Sequence, residues 1–94
     1  TGVSGKASRK IGLKLKELGA FTQVICVTHS AQIASVADSH FLIEKNVEND
    51  RTYTNVTVLD YDGRKNELAR IMGGINATES LLKSAEELLN NYGN

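Results

Sequence analysis

The sequence predicts an α/β protein with a small mixed three-stranded sheet flanked by helices. Residues 23–28 form an apolar, β-branched run without polar alternation, which is typical of a strand buried on both faces. A short helical segment and a second strand-like run, residues 39–45, complete the order of a βαβ unit with parallel strands. Residues 52–59 alternate as a third strand, and the short polar turn at residues 46–51 predicts an antiparallel return.

A first helix is predicted over residues 5–18. It begins after Ser4, whose hydroxyl is suited to capping the helix, and it ends at Gly19. Its apolar side chains recur at spacings of three and four and so form one stripe: Ala7, Ile11, Leu15 and Leu18.

Two short helices are predicted in the middle of the chain. Residues 31–37 form the helix of the βαβ unit, and residues 65–72 form a helix that follows a turn at residues 62–63. The glycines at residues 73–74 stop this second helix.

The last predicted helix occupies the C-terminal part of the chain. Asn76, with Glu79 three residues later, resembles a capping box that uses Asn in place of Ser or Thr. The helix is expected to bury one apolar face: Leu81, Leu82, Ala85, Leu88, Leu89 and Tyr92.

Composition limits the class of protein. The 94 residues are 40% apolar and 23% charged, which is ordinary for one globular domain. Eleven basic residues balance eleven acidic ones, so the net charge gives no argument for nucleic-acid or membrane binding. The single cysteine, Cys26, excludes an internal disulfide framework, and its apolar surroundings predict a buried core position in a cytoplasmic protein. No apolar stretch approaches the roughly 20 residues of a membrane span.

His29 is the first candidate for chemistry. It directly follows the predicted buried strand, at the carboxyl end of the sheet, where α/β proteins place their ligand sites. An imidazole there could donate a hydrogen bond to a phosphate or position a water molecule. The alternative is a loop histidine that is hydrogen-bonded to nearby backbone.

Other polar clusters have weaker functional interpretations. The turn Thr1-Gly2-Val3-Ser4-Gly5 could turn its N–H groups towards an anion, or it could be an ordinary helix start. A basic helix face could contact phosphates, although the absence of aromatic residues favours a solvated surface: Lys6, Arg9, Lys10, Lys14 and Lys16. The charged residues around the third predicted helix are expected to be turn and helix surface rather than an acid–base pair: Asp60, Asp62, Glu67 and Arg70.

Four strings of the sequence together resemble the nucleotide-binding heads of the SMC and ABC-type ATPases. They are Thr1-Gly-Val-Ser-Gly-Lys-Ala, Gln23-Val-Ile-Cys-Val-Thr-His-Ser-Ala-Gln-Ile-Ala, Ala37-Asp-Ser-His-Phe and Glu67-Leu-Ala-Arg-Ile-Met-Gly-Gly. The resemblance covers nearly the whole chain. The Thr-His after an apolar strand is shared widely in this family. The first and last strings are typical of one bacterial branch, which acts in recombinational repair of DNA double-strand breaks.

The resemblance implies roles for five residues. Thr1, Gly2, Val3 and Ser4 match the D-loop, which crosses the dimer interface towards the nucleotide of the partner head. His29 matches the switch histidine, which approaches the γ-phosphate of ATP. Ser4 departs from the wider ABC pattern, which usually has Asp at this position, and agrees with the DNA repair branch.

The resemblance also implies what lies elsewhere in such a protein. The sequence contains no Walker A string, no strand ending in Asp-Glu and no signature string, so the parts that hold ATP and Mg²⁺ are expected before residue 1. Residues 1–94 are then the C-terminal lobe of a single P-loop NTPase head, a fragment that begins at the D-loop, has no metal site and is inactive alone. The implied partners are the remainder of the head, a second head in a homodimer, and DNA bound by the parent protein in the nucleoid of the cytoplasm, without a membrane.

Two other interpretations remain open. The chain could be a self-standing small α/β binding or regulatory module, or the C-terminal part of another SMC or ABC-type ATPase. A self-standing module predicts a closed, well-paired sheet, whereas a head fragment predicts an exposed apolar strand edge. The glycine-rich opening without a starting methionine favours a fragment.

Overall fold

The computed structural model describes residues 5–74 and 78–92, and this part is a mixed α/β structure with four helices and a two-stranded sheet. The mixed class predicted from the sequence is therefore confirmed. None of the described helices is both long and apolar enough to cross a membrane. The elements in chain order are α1 (Gly5–Gly19), α2 (Ala31–Ser35), β1 (Phe41–Glu48), β2 (Arg51–Val58), α3 (Tyr61–Gly73) and α4 (Glu79–Tyr92).

The core lies where α2, α3 and α4 meet. Leu68, Ala69 and Ala85 are fully buried there, with Ala31 and Leu89 nearly so. The small residues let the three helices approach closely, and partly buried side chains pack around them: Ile71, Met72, Leu81, Leu82 and Leu88. The apolar face predicted for the last helix is confirmed.

Helix α3 begins four residues earlier than the sequence predicts. The Asp60 carboxylate accepts a 2.8 Å hydrogen bond from the Gly63 N–H, which caps the helix at its N-terminus. The turn predicted at residues 62–63 is thus the first turn of the helix. The predicted stop is confirmed, because Gly74 adopts a positive φ of 80° and donates its N–H to the Arg70 carbonyl.

Helix α4 begins after Thr78. The Thr78 hydroxyl accepts a 3.1 Å hydrogen bond from the Leu81 N–H, which is the bond an N-cap makes. The residue predicted to make this cap, Asn76, lies outside the described residues.

Strands β1 and β2 form an antiparallel hairpin, as predicted for these two runs. Phe41 pairs with Val58 and Ile43 with Val56, so these four apolar side chains share one face. The loop is tighter than predicted and has two residues, both with positive φ: Asn49 at 52° and Asp50 at 64°. This geometry matches the right-handed twist of hairpin strands, and Asn and Asp tolerate it better than most residues.

The described structure has two of the three predicted strands, and the missing one is the first predicted strand, residues 23–28, so the parallel pair is not formed. Residues 23–28 form no strand in the described structure, and most of their side chains are exposed, including Ile25 at 84% and Val27 at 91%. Cys26, expected in the core, is exposed as well. A strand needs a hydrogen-bonded neighbour, and β1 pairs with β2 across a turn of two residues. Closing so short a turn loses little conformational entropy. A parallel pairing with residues 23–28 would need the longer connection through α2.

Helix α1 is confirmed, but the face that it buries differs from the predicted stripe. Ser8 and Gly12 are its buried residues, whereas Ile11 and Leu18 are 43% and 53% exposed. A Cβ built on Gly12 would lie 3.3 Å from the Gln32 carbonyl oxygen, so the glycine lets α1 approach the backbone of α2. Close backbone approach, rather than apolar area, decides which side of α1 faces the protein.

Candidate functional site

His29 lies in a turn stabilised by hydrogen bonds just before α2. The Thr28 hydroxyl accepts a 3.0 Å hydrogen bond from the Ser30 N–H, which spans the histidine. The Ser30 hydroxyl accepts from the Ile33 N–H at 3.3 Å and caps α2. The His29 side chain itself is exposed. The local sequence therefore fixes the backbone on both sides of an imidazole that solvent or a ligand can reach.

The start of α1 lies beside the first turn of α2. A Cβ built on Gly5, the first described residue, would be 3.4 Å from Nε2 of Gln32, three residues after His29. The structure thus brings the chain immediately after the predicted D-loop close to the segment of the predicted switch histidine. Thr1, Gly2, Val3 and Ser4 themselves lie outside the described residues.

The carboxyl end of α2 is held by two cations. Nη2 of Arg64, on α3, donates to the carbonyl oxygens of Ala34 at 3.1 Å, Ser35 at 3.3 Å and Ala37 at 3.0 Å. Nζ of Lys16, on α1, donates to the Val36 carbonyl oxygen at 3.3 Å. Carbonyls at the end of a helix carry partial negative charge and have no partner within the helix, so both cations stabilise this end.

Arg64 was not among the functional residues predicted from the sequence. The residue is only 8% exposed and lies one helical turn before Leu68, which is completely buried. A charged residue four positions before a core leucine on one helix is a signal that it belongs to the apolar face. That spacing could have identified Arg64 as a buried cation that needs acceptors.

His40 and Arg64 line a cleft of about 300 Å³ between the hairpin and α3. Nδ1 of His40 and Nε of Arg64 are buried and have no hydrogen-bond partner among the described residues. Burial, and secondarily the positive charge of Arg64, lowers the pKa of His40, while Glu67 acts in the opposite direction. Burial also lowers the pKa of the Arg64 guanidinium, with Asp38 opposing it. The cleft favours a neutral His40 beside a charged arginine.

The basic residues of α1 make different contacts. Lys14 pairs with Glu17 at 3.6 Å, and Arg9 lies 5.3 Å from the ring centre of Tyr92. Lys16 turns towards α2 and Asp38. Lys6, Lys10 and Lys14 are exposed, whereas Lys16 faces the protein, so only part of the predicted basic face is open to solvent on all sides.

The carboxylates around α3 act separately. Asp60 caps the helix and Asp62 lies 3.8 Å from Lys65. Glu67 accepts two hydrogen bonds from Arg70, at 2.7 and 2.6 Å. The Glu67 side chain is only 10% exposed and so is less superficial than expected. No group of three or more His, Cys, Asp or Glu side chains among the described residues could hold a metal ion.

In comparison with known proteins, this chain is similar to bacterial DNA repair proteins. The relatives are named DNA repair protein RecN, and the chain matches their C-terminal part. It is 43% identical to the protein from Rickettsia conorii and 41% identical to that from Vibrio cholerae, each over 94% of this chain. The Bacillus subtilis protein is 36% identical over 95% of the chain.

The match covers a small part of each relative. The chain spans 16% of the length of these three curated relatives. No protein-family model matches it. The resemblance inferred from the sequence is confirmed as a similarity to the C-terminal part of RecN.

Proposed function

We propose that this chain is the C-terminal portion of the ATPase head of a RecN-like, SMC-type protein that acts in recombinational repair of DNA double-strand breaks. The similarity of nearly the whole chain to the C-terminal part of RecN carries this proposal. The chain is one segment of that head and is inactive alone.

His29 is the residue that we propose to act in ATP hydrolysis, as the switch histidine that approaches the γ-phosphate. Its exposed imidazole, between a hydroxyl-bridged turn and a capped helix, supports this role. In phosphoryl transfer an enzyme mostly positions groups and offsets the charge that develops on the transferred phosphoryl. A fixed histidine at the end of a turn is suited to both tasks.

Thr1, Gly2, Val3 and Ser4 are proposed to form the D-loop and to contact the nucleotide of a second head. The support is the position of Gly5, which lies beside Gln32 and so near the segment of His29. ATP and Mg²⁺ are the cofactors of the whole protein in this proposal. The metal ligands are proposed to lie in the remainder of the head.

The remainder of the head is also the proposed partner of the exposed apolar surface. The large apolar side chains of residues 21–27 and of the hairpin are exposed, including Phe21 at 87% and Val47 at 74%. In the assembled head, residues 23–28 are proposed to gain strand neighbours and to join a larger sheet, as their β-branched composition favours. A self-standing module would not be expected to leave so much apolar surface uncovered.

The whole protein is proposed to work as a homodimer of heads that acts on DNA in the cytoplasm, associated with the nucleoid. These features belong to the proposed parent protein. The chain spans 16% of its relatives, and DNA binding would be carried by the parent.

The role of His29 is tested by His29→Ala in the full-length protein. We expect ATP hydrolysis to slow by roughly 10²-fold or more, because one hydrogen bond to the developing charge is lost. ATP affinity should change far less, because the phosphate loop and the magnesium site supply most ground-state contacts. Steady-state hydrolysis and nucleotide-binding measurements give the two values.

The matched control is His40→Gln, which changes the other histidine of the chain. His40 lines a cleft between the hairpin and α3. The variant should therefore hydrolyse ATP at a rate close to that of the wild type. Hydrolysis by His29→Ala within about threefold of wild type, a difference of only ~0.7 kcal/mol, would make His29 a structural loop residue.

A further inference from the structure

Helix α2 physically connects His29 to a buried cation. Its five residues rise by about 7.5 Å, with the turn of His29 before the first residue and the contacts of Arg64 beginning at the fourth. A rigid segment this short transmits any tilt at its carboxyl end to the residues just before its start. The position of His29 therefore depends on what fixes the far end of α2.

A helix of this length has little stability of its own. Isolated helices shorter than about 12 residues are marginal in water, and here capping and packing must supply the difference. The Ser30 cap holds the amino end, while Ala31 and Ala34 pack into the core at 3% and 7% exposure. These alanine contacts are apolar and non-directional, so they constrain the rotation and tilt of the helix less than hydrogen bonds do.

Arg64 supplies the directional contacts that the alanines lack. One guanidinium nitrogen, Nη2, reaches three carbonyl oxygens at the α2 end, those of Ala34, Ser35 and Ala37. Its two N–H groups lie in the guanidinium plane and point in fixed directions, so the three acceptors that share them are confined to a small region.

The arginine itself lies beside the most deeply buried part of the described core. Arg64 is 8% exposed and lies on α3 one turn before the fully buried Leu68. The other cation, Lys16, is 33% exposed in its side chain and also lies 3.7 Å from Asp38. Its flexible, partly solvated ammonium constrains direction less than a buried guanidinium does.

We infer that Arg64 is a positioning residue that fixes α2 and, through it, the location of His29. The consequence for ATP hydrolysis rests on the proposed function of His29, whereas the structural coupling between Arg64 and the His29 turn does not. The experiments below separate these two parts.

The coupling is tested by hydrogen exchange on the full-length protein with Arg64→Lys and Arg64→Gln. The amides of Ile33, Ala34, Val36 and Ala37 are hydrogen-bonded around α2 and should exchange about tenfold faster or more in either variant. Lysine keeps the charge but replaces the planar guanidinium by a shorter, freely rotating ammonium, so Arg64→Lys remains informative if Arg64→Gln does not fold.

The matched control is Arg70→Lys. Arg70 is on the same helix, is half exposed, and pairs with Glu67 rather than with α2. It should leave exchange at residues 28–37 unchanged. Wild-type exchange in this segment for Arg64→Lys would overturn the inference, whatever the ATPase measurements give.

The kinetic test combines Arg64→Lys with His29→Ala. Arg64→Lys should lower kcat by roughly tenfold with a smaller change in KM, because a displaced catalytic group slows the chemical step. In the double variant, kcat should equal that of His29→Ala alone, since Arg64 acts through His29. If the two substitutions lower kcat by independent factors that multiply, Arg64 does not act through His29. If His29→Ala alone leaves kcat unchanged, the proposed function of His29 fails, and faster exchange in Arg64→Lys would still establish the coupling.

Discussion

His40 and Arg64 show how one buried cation alters the chemistry of its neighbourhood. Arg64 is held in place by three carbonyls, and its charge adds to the effect of burial on His40, which lines the same cleft. Protonating His40 would put a second positive charge beside the first. The histidine is therefore better suited to fill this cleft in its neutral form than to exchange protons there.

This arrangement predicts a pH dependence of stability. Burial and the Arg64 charge place the pKa of folded His40 below its ordinary value of about 6.5. Between those two pKa values the unfolded chain binds more protons than the folded chain, so stability falls as the pH falls below about 6.5. Above about 6.5 both states are neutral and this contribution does not vary.

The measurement is urea unfolding of the chain and of His40→Gln at pH 7.5 and pH 5. The wild type should lose more free energy of unfolding between the two pH values than the variant, because the variant has no proton to bind at this position. Equal losses would show that His40 titrates alike in both states.

At the scale of elements, packing between α1 and α2 depends on the absence of a side chain. A Cβ on Gly12 would lie 3.3 Å from Cγ2 of Val36 and 3.4 Å from Cα of Ile33, which is tighter than most such contacts. At Gly19, in the same helix, nothing lies within 4 Å. Substitutions at Gly12 and Gly19 therefore distinguish the effect of contact between the helices from the effect of helix propensity.

Replacing each glycine by glutamine tests this difference. Gly12→Gln should lower the free energy of unfolding by about 1–3 kcal/mol, because the added atoms force α1 away from α2. Gly19→Gln should be neutral or raise it by up to about 1 kcal/mol, because glycine is a poor helix former. Urea denaturation gives both values, and equal effects would show that the close approach does not determine the packing.

Local signals allowed the helices and the hairpin to be predicted from the sequence. The Gly74 stop, the apolar face of α4 and the alternation of residues 52–59 depend on neighbours close in sequence. Residues 23–28 could not be predicted in the same way. Their β-branched pattern indicates a strand, but a strand exists only with a partner, and β1 pairs with β2 in the described structure.

The candidate site, too, could be predicted only where it depends on residues close in sequence. The exposed turn of His29 was predictable, because Thr28 and Ser30 flank it with side chains suited to turns and caps. Arg64 was not recognised, because its three acceptors lie some 30 residues away in sequence and its role follows from tertiary packing. The roles of His29 and of Thr1, Gly2, Val3 and Ser4 in ATP hydrolysis remain predictions.

At the scale of the whole molecule, one face of the hairpin carries an uncovered apolar surface. Phe41, Ile43, Val56 and Val58 lie on this face and are each more than half exposed. The opposite face has polar side chains such as Glu44, which pairs with Asn55. An antiparallel hairpin with one apolar face normally packs that face against another layer. In the proposed head, the remainder of the protein is that layer.

The double variant Ile43→Thr and Val56→Thr tests whether this face is covered, and it keeps β-branched residues in both strands. In the full-length protein it should lower the thermal unfolding midpoint of the head, because covering each aliphatic side chain contributes about 1.5–3 kcal/mol and a hydroxyl would be buried instead. In the isolated chain it should instead reduce concentration-dependent self-association, since the same side chains face water. Asn55→Thr, on the opposite face of β2, is the matched control and should change neither quantity. Scanning calorimetry and sedimentation velocity measure the two effects. An unchanged midpoint in the full-length protein would mean that this face remains in water there, and that the remainder of the head does not cover it.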